Sequence, residues 1–464
     1  MNDGEVEESS GSVLAERRTN VEVSDKATAK AAASFQPEEL DELLRLYYQR
    51  FFPFQLFYRW LNYGHINDRN FFGLREFCLT LKDDVYLRYQ SFDNQAKMEE
   101  RLRQKDPRVI PFKIDIGPIY SARITDTKLN PSIVPVEREL IFDIDMTDYD
   151  EVRLCCSGAD ICGKCWPLMV LAIKIIHRVL TEDFGFQHIF WVFSGRRGVH
   201  CWVCDKKARS LKQAARSAIV EYLTMIKGGN VGKARRVQIQ DSEHAAVAKA
   251  LNLVRAYFLR HLVREQKIME SKKGLPKLLS MLEDETLIAK VKKTIDNTHG
   301  SEKRWNSLVE EVTQFVQEKK GTPEYRKVRN MLDEMQVQFC YPRLDVNVSH
   351  GLNHLLKSPF SIHPKTGRVC VPINPDFADS FNPFDVPTVK QLEHELNVAY
   401  DAAKNQMDIS TPDDAIENKK VSPEVEAKKT SLKESIILFE TFVRRLEASW
   451  KRQRDRAEDQ KMEF

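Results

Sequence analysis

The chain has 464 residues and a formal net charge of +3, from 71 lysines and arginines against 68 aspartates and glutamates. This length can bury a sizeable core in one large or two smaller domains, whereas so balanced a charge gives no bulk electrostatic argument for a nucleic-acid partner. No apolar run approaches the ~20 residues that a membrane span needs, so we expect no membrane partner.

The cysteines predict a metal site. Nine occur in the chain, four of them between residues 155 and 165. The N-terminal sequence is acidic and Ser-rich and lacks the apolar segment of a secretory signal, so we expect a reducing compartment. Clustered cysteines in such a compartment favour metal binding over disulfides.

The N-terminal part of the chain predicts a tail, a helix and three strands. Residues up to about 34 are polar and poorly periodic, which is typical of a disordered tail. The first helix is predicted by apolar residues at helical spacing, Leu40, Leu43, Leu44 and Tyr47. Strands are expected next at 76–81, 84–91 and 113–117.

Residues 139–145 predict a strand with two carboxylates on one face. Alternation places Asp143 and Asp145 together, while Leu140, Phe142 and Ile144 point the other way. Two anions so placed repel each other and are costly to bury unless they hold cations. Paired divalent metal ions are the natural occupants, and an ordinary acidic surface strand is the alternative.

A second strand-like run, 343–349, places Asp345 on one face with Arg343 and Asn347. Asp345 is the candidate for a third metal ligand. Three carboxylates on two strands would hold two Mg²⁺ or Mn²⁺ ions roughly 3.5 to 4 Å apart, as in enzymes of phosphoryl transfer.

The cysteine cluster predicts a structural zinc site. Its spacing is Cys155-Cys156-x5-Cys162-x2-Cys165, and four thiolates suit tetrahedral Zn²⁺, with free thiols as the alternative. All four positions would be filled by sulfur, so the site would be closed and non-catalytic. Cys201 and Cys204 lie in a predicted strand instead, where residues three apart face opposite ways, and they are interpreted as core thiols.

A helix over 166–184 ends at Gly185, and a hairpin of strands 189–193 and 199–203 follows. The turn and the start of the second strand form the strongest anion-binding candidate, Ser194, Gly195, Arg196, Arg197, Gly198, Val199 and His200. Glycines let the backbone approach a phosphate, and two arginines can chelate its oxygens. A second basic set follows Asp345, with His354, Lys357 and His363. Solvated surface charge is the alternative for both sets.

The remaining segments are less informative about chemistry. Residues 208–329 are rich in helix formers and charge and predict a helical insertion, and a further helix is expected from 432 to about 452. The chain lacks a Gly-x4-Gly-Lys-Ser/Thr phosphate loop, which argues against a motor ATPase.

Five segments resemble one known family in order along the chain. They are 58–64, 142–150, 194–202, 343–349 and 354–360. Over residues 36 to 390 the chain resembles the archaeo-eukaryotic primase family, and within it the small catalytic subunits of eukaryotic DNA primase. The resemblance implies an α+β fold with a mixed-sheet primase core, an inserted helical subdomain and a zinc knuckle.

The resemblance also implies a division of the chain and a set of site residues. The expected parts are a disordered tail 1–35, a catalytic core 36–207 with the zinc motif 155–165, a helical subdomain 208–329, the rest of the core 330–400, and a charged segment 401–464. Catalysis would involve Glu76, Asp143 and Asp145, with Asp345 as a further metal ligand. By the resemblance, nucleotide binding would add Arg88, Lys113, Asp115, His354, Leu355, Leu356, Lys357 and His363 to the hairpin turn.

The implied function is DNA-dependent synthesis of short RNA primers, de novo, on single-stranded DNA. Its cofactors would be two catalytic Mg²⁺ or Mn²⁺ ions and one structural Zn²⁺. The expected partners are the large primase subunit in a heterodimer, the DNA polymerase alpha complex, the template with its RNA primer, and ribonucleoside triphosphates, in the nucleus. A repair-type primase-polymerase and a non-catalytic assembly subunit are the alternatives.

Overall fold

Two antiparallel sheets organise the fold. The structure is a computed structural model that describes residues 35–65, 70–126, 132–227, 237–239, 245–407 and 422–462. The first sheet consists of β1 (Arg75–Thr80), β2 (Tyr86–Gln90), β3 (Lys113–Tyr120), β4 (Pro135–Glu137) and β10 (Leu356–Lys357). Its order is β10-β3-β1-β2, and β4 also pairs with β3. The predicted tail lies outside the described residues, except for Phe35.

The second sheet carries the acidic strand. It consists of β5 (Leu140–Asp145), β6 (Ile189–Phe193), β7 (Gly198–Val203) and β11 (Pro372–Ile373), in the order β11-β6-β7-β5. Two short strands, β8 (Ile226–Lys227) and β9 (Arg343–Leu344), form a separate parallel pair. Within the described ranges the two large sheets are each antiparallel throughout, so parallel and antiparallel pairing do not meet in one sheet as the resemblance implied.

Helices surround the sheets. In chain order they are α1 (Leu40–Arg50), α2 (Phe54–Asn62), α3 (Gln95–Leu102), α4 (Pro167–Glu182), α5 (Lys206–Arg209), α6 (Gln213–Leu223), α7 (Ala245–Tyr257), α8 (Gly274–Leu279), α9 (Glu285–Asp296), α10 (Ser301–Glu318), α11 (Tyr325–Val328), α12 (Met331–Cys340), α13 (Val346–His350), α14 (Val389–Met407), α15 (Pro423–Ala427) and α16 (Lys433–Met462). A π-helical segment, Phe258–Glu265, continues α7. Short 3-10 turns are Pro37–Glu39, Lys82–Asp84, Pro107–Val109, Ile124–Asp126, Met146–Tyr149, Ile268–Glu270 and Pro375–Ser380.

Helices predominate among the described residues from α5 to α12, while the helical insertion and the domain boundaries stay predictions. None of the helices in the described part of the chain is long and apolar enough to cross a bilayer.

Alternation along β5 places its carboxylates as expected. Leu140, Phe142 and Ile144 are fully buried, whereas the side chains of Asp143 and Asp145 stay partly exposed. The predicted hairpin of β6 and β7 is confirmed, with Phe193 opposite Val199. Strand β7 also pairs with β5, so the hairpin turn ends beside the acidic strand.

The core behind this sheet is aromatic. Trp60 on α2 lies 5.5 Å from Trp202 on β7, ring centre to ring centre, and both are fully buried. Trp60 donates its indole N–H to the Cys204 sulfur at 3.4 Å. Cys201 is fully buried as well, which confirms that this cysteine pair belongs to the core.

The expectation of a strand over 343–349 is wrong. Only Arg343–Leu344 is strand; Asp345 then caps the short helix α13, accepting a hydrogen bond from the Asn347 amide at 3.1 Å. Leu344 and Val348 are both buried, but only Leu344 lies in the strand, whereas Val348 lies in α13. The apolar alternation in this run therefore resembled a strand, while an aspartate that favours helix caps ended it.

Candidate active site

Three acidic residues, Asp143, Asp145 and Asp345, are neighbours at the end of β5. The Asp345 amide donates to the Asp143 carbonyl at 3.1 Å, which fixes the start of α13 against the acidic strand. The Asp143 and Asp145 side chains are 31% and 36% exposed, so both open to solvent on one face. The structure thus brings Asp345 to the other two aspartates, although through a helix cap and not through a strand face.

The electrostatics of the three aspartates are uneven. Burial and the charges of Asp145 and Asp345 raise the pKa of Asp143 to about 7. Burial alone would raise the pKa of Asp145 too, but hydrogen bonds from Arg197 and Thr147 lower it below its ordinary value. A carboxyl group whose pKa is raised by neighbouring carboxylates indicates a site with excess negative charge, which a bound cation would neutralise. Hard oxygen donors of this kind fit Mg²⁺ or Mn²⁺.

The turn between β6 and β7 is closed by its own backbone and one hydroxyl. The Ser194 amide donates to the Gly198 carbonyl at 2.9 Å, and the Gly198 amide donates to the Ser194 hydroxyl at 3.0 Å. Gly195 has a φ of +87°, and a Cβ there would lie 2.7 Å from the Cβ of His363. A Cβ on Gly198 would lie 2.5 Å from the Ile144 carbonyl oxygen, so only glycine lets this turn approach β5.

The turn places cations beside the carboxylates. Arg197 donates from Nε to both Asp145 oxygens, at 2.6 and 2.9 Å. His200 lies opposite Asp143 in the sheet, with its Nε2 3.7 Å from the Asp143 carboxylate. Burial and the charge of Lys357 lower the pKa of His200 to about 3, so its imidazole is neutral near pH 7.

Lys357 joins the two sheets at this point. It lies on β10 opposite Asp115 of β3, and its Nζ donates to the Ser194 carbonyl of the hairpin turn. The pKa of His363 is lowered to about 3 by burial and by the charges of Lys357, Arg196 and Arg197. The structure therefore brings Lys357 and His363 of the second predicted set to the hairpin turn of the first.

The first sheet contributes further predicted residues. Lys113 pairs with Asp115 at 2.9 Å, on one face of β3 as expected. Buried Glu76 accepts from Arg88 at 2.9 Å and from the Tyr120 hydroxyl at 3.1 Å, so it is engaged within the first sheet. Burial and the charge of Arg138 lower the pKa of His354, and three further charged groups act on it, Asp345, Asp115 and Arg88. His354 therefore stands between the two groups of residues.

Val199 and Leu356 are buried strand residues, so their backbone alone is available to a ligand, and Leu355, which precedes Leu356, is partly buried.

Sequence reasoning missed Thr147 and Arg138. Thr147 donates to Asp145 from its amide and its hydroxyl, both at 2.9 Å, and its position two residues after an aspartate was the available signal. Arg138 is fully buried and donates to the carbonyls of Leu352 and Ile116, a role that no local pattern signals.

The four clustered cysteines form a candidate metal centre. One sulfur from each of Cys155, Cys156, Cys162 and Cys165 lies within 4.8 Å of the others. Hydrogen bonds from Cys155, the Cys162 backbone and Arg153 together lower the pKa of Cys165 to about 5, although its burial opposes this. Four sulfurs gathered in this way suit a tetrahedral metal ion such as zinc.

Comparisons with known proteins identify the family of the chain. A family model described as DNA primase small subunit matches residues 142–375. The DNA primase small subunit of Drosophila melanogaster is 42% identical over 428 residues, covering 91% of this chain and 94% of the relative. The chain belongs to the DNA primase small subunit family. The relative from Schizosaccharomyces pombe is 39% identical over 77% of this chain and 78% of its own length.

Primer synthesis by nucleotidyl transfer is the function of this family and of this primase chain, which is therefore an enzyme. The repair-type and non-catalytic alternatives are not favoured. A solved structure, the polymerase domain from Mycobacterium tuberculosis Ligase D in complex with DNA, covers 77% of the chain at 10% identity with a TM-score of 0.33, a likeness too distant to carry an argument.

Proposed function

We propose that this primase makes short RNA primers de novo on single-stranded DNA, using Asp143, Asp145 and Asp345 to hold two Mg²⁺ or Mn²⁺ ions. The observation that carries the proposal is that Asp345 adjoins Asp143 beside the hairpin turn, and that burial and the charges of Asp145 and Asp345 raise the pKa of Asp143 to about 7. Bound divalent ions would lower the pKa of a ribose hydroxyl and stabilise charge on the leaving pyrophosphate.

The chain's own residues bind and orient the triphosphate. Arg196, Arg197 and Lys357 supply positive charge, and the backbone amides of the Gly195–Gly198 turn add donors at close range. Neutral His200 and His363 are hydrogen-bonding groups without net charge. Together these groups would hold the α-phosphate near the carboxylates and exclude water from the reacting atoms.

The opposite side of the cleft would hold the sugar or the other nucleotide. Arg88, Lys113 and Asp115 face it from the first sheet, and the segment His354, Leu355 and Leu356 lies between the two sides. Glu76 acts by orienting Arg88, since its carboxylate accepts both Nε and Nη2 of that guanidinium.

We also propose one structural Zn²⁺ on the four cysteines and a helical subdomain, 208–329, inserted between the core segments 36–207 and 330–400. The charged segment 401–464 completes the chain. The helices described between Lys206 and Cys340, with strands of both large sheets on either side in sequence, support this division.

The proposed partners are the large primase subunit in a heterodimer, the DNA polymerase alpha complex, the template with its primer, and ribonucleoside triphosphates, in the nucleus. Family membership supports the large subunit and the template. The net charge of +3 supports dependence on a partner, because few neutralised phosphates give weak binding to DNA.

Primer synthesis on a polypyrimidine single strand tests the proposal. Wild type with ribonucleotides and Mg²⁺ or Mn²⁺, and the large subunit added, should yield short RNA. Asp143→Ala and Asp345→Ala should lower the yield ~10²- to 10³-fold, the scale expected when a charge-stabilising group is lost. Asp296→Ala, at the exposed end of α9, is the matched control and should remain active. Product from either active-site variant at the wild-type level would remove the metal assignment.

A further inference from the structure

The edge strand β2 presents apolar side chains to solvent. Val85, Tyr86 and Tyr89 are 48%, 48% and 51% exposed. In the described part of the chain they are three of nine exposed large apolar residues, gathered within five consecutive positions. Scattered apolar residues need no explanation, but a local concentration of them indicates a binding surface.

A β-bulge aims Tyr89 outwards. Leu79 of β1 pairs with Leu87 of β2, and Phe77 pairs with Gln90, so three steps along β2 oppose two along β1. Tyr89 accommodates the bulge with a backbone φ of +60°, a left-handed conformation that is uncommon for an aromatic residue. Bulges of this kind redirect side chains beside active sites.

The same bulge argues against strand addition at this edge. An added strand needs a regular row of free amides and carbonyls, and a bulge interrupts and twists that row. The exposed rings are therefore the part of β2 that a partner would contact.

Cations adjoin both rings. The Arg88 guanidinium lies 4.9 Å from the centre of the Tyr89 ring, and the Lys113 ammonium lies 5.7 Å from that of Tyr86. Arg88 is also paired with Glu76, and Lys113 with Asp115. The proposed function assigns Arg88, Lys113 and Asp115 to the side that would hold the sugar or the other nucleotide. The rings thus lie next to the active site, with a guanidinium beside the Tyr89 ring.

We propose that Tyr89 is a stacking platform for a base of the single-stranded DNA template, with Val85 and Tyr86 extending the surface along β2. This inference rests on the proposed function for the identity of the template. Aromatic rings beside cations are the usual means of holding unpaired strands, because every base has a π-face and every nucleotide a phosphate. A duplex hides those faces inside its stack.

Binding of a fluorescent oligothymidylate to the full chain tests the proposal without catalysis. Tyr89→Asn tolerates the left-handed backbone and removes the ring, and it should bind about tenfold more weakly. Tyr89→Phe keeps the ring and should stay within about twofold of wild type. Phe377→Ala removes a ring that is 67% exposed on the Pro375–Ser380 turn and should change nothing. Thermal melting checks that each variant folds.

A strand of equal length without bases separates stacking from backbone contacts. Wild type should prefer oligothymidylate to this abasic strand by about tenfold, and Tyr89→Asn should lose that preference. Equal binding of both strands by wild type would overturn the proposal even if Tyr89→Asn failed to fold. A rise in the KM for ribonucleotides equal to the loss of DNA affinity would overturn it too, by placing Tyr89 in the nucleotide site. If the wild-type protein made no primers, the proposed function would fail, but these binding measurements would still test the stacking proposal.

Discussion

At the scale of a single residue, Asp143 is under electrostatic strain. Its carboxyl group is about two-thirds buried beside two other carboxyl groups, and its pKa is raised to about 7. Ionising it therefore costs the folded protein free energy that the unfolded chain does not lose. The cost is absent below the ordinary carboxyl pKa, grows as pH rises from about 4, and is complete above about 7.

We therefore expect Asp143→Asn to stabilise the metal-free protein while abolishing catalysis. At pH 8 the gain should be about 1–2 kcal/mol, allowing for the exposed part of the side chain, and near pH 4 it should vanish. Thermal melting in the presence of a chelator measures it, with Asp296→Asn as the exposed control. A variant less stable than wild type at pH 8 would contradict the repulsion inferred here.

At the scale of an element, the segment 155–165 is expected to owe its local order to a bound metal ion. Its thiols converge without a regular helix or strand to hold them, so a bound metal ion is the natural source of local order. Arg153 supports the segment by donating to the carbonyls of Asp160 and Gly158.

Purified protein should contain one zinc per chain, and a strong chelator should lower its melting temperature by several degrees. Cys162→Ser should contain much less zinc, because one of four ligands is lost. Cys201→Ala tests the other Cys-x2-Cys pair and should retain a full equivalent. Zinc content measured by elemental analysis decides the matter, and a zinc-replete Cys162→Ser protein would refute the site.

At the scale of the whole molecule, a buried ion pair joins the two sheets. Arg75 on β1 and Glu139, which precedes β5, are both fully buried and lie 3.1 Å apart. The Tyr63 hydroxyl bonds to both side chains. Burial would raise the pKa of Glu139, but Arg75 and Tyr63 hold it far below its ordinary value.

Removing one partner should therefore cost more than removing both. Arg75→Met leaves the Glu139 charge uncompensated, and we expect a loss of about 3–5 kcal/mol in the free energy of unfolding. The double variant Arg75→Met/Glu139→Gln should recover part of it. Urea unfolding measures both, with Arg108→Met as control, because the Arg108 side chain is 81% exposed. Additive losses would show that the pair is not coupled.

Residue alternation and spacing predict the parts of this molecule whose conformation depends on neighbouring residues in the sequence. The acidic strand, the hairpin and the cysteine cluster each follow from alternation or spacing, and all were placed correctly. The alternation of Leu344, Val346 and Val348 predicts a strand through Asp345, whereas the structure ends the strand at Leu344 and uses Asp345 as a helix cap. Arg138, which contacts residues 22 and 214 positions away, depends on long-range packing that one sequence does not reveal.

The contact between Arg197 and Asp145 links two binding events. Both Asp145 oxygens accept hydrogen bonds from the Arg197 Nε, and the carboxylate offsets the charge of the guanidinium. A divalent ion that binds Asp145 releases this arginine for phosphate, and a phosphate that captures the arginine leaves Asp145 free for the ion. Metal and triphosphate should therefore bind cooperatively, and each should raise the affinity of the other by the same factor.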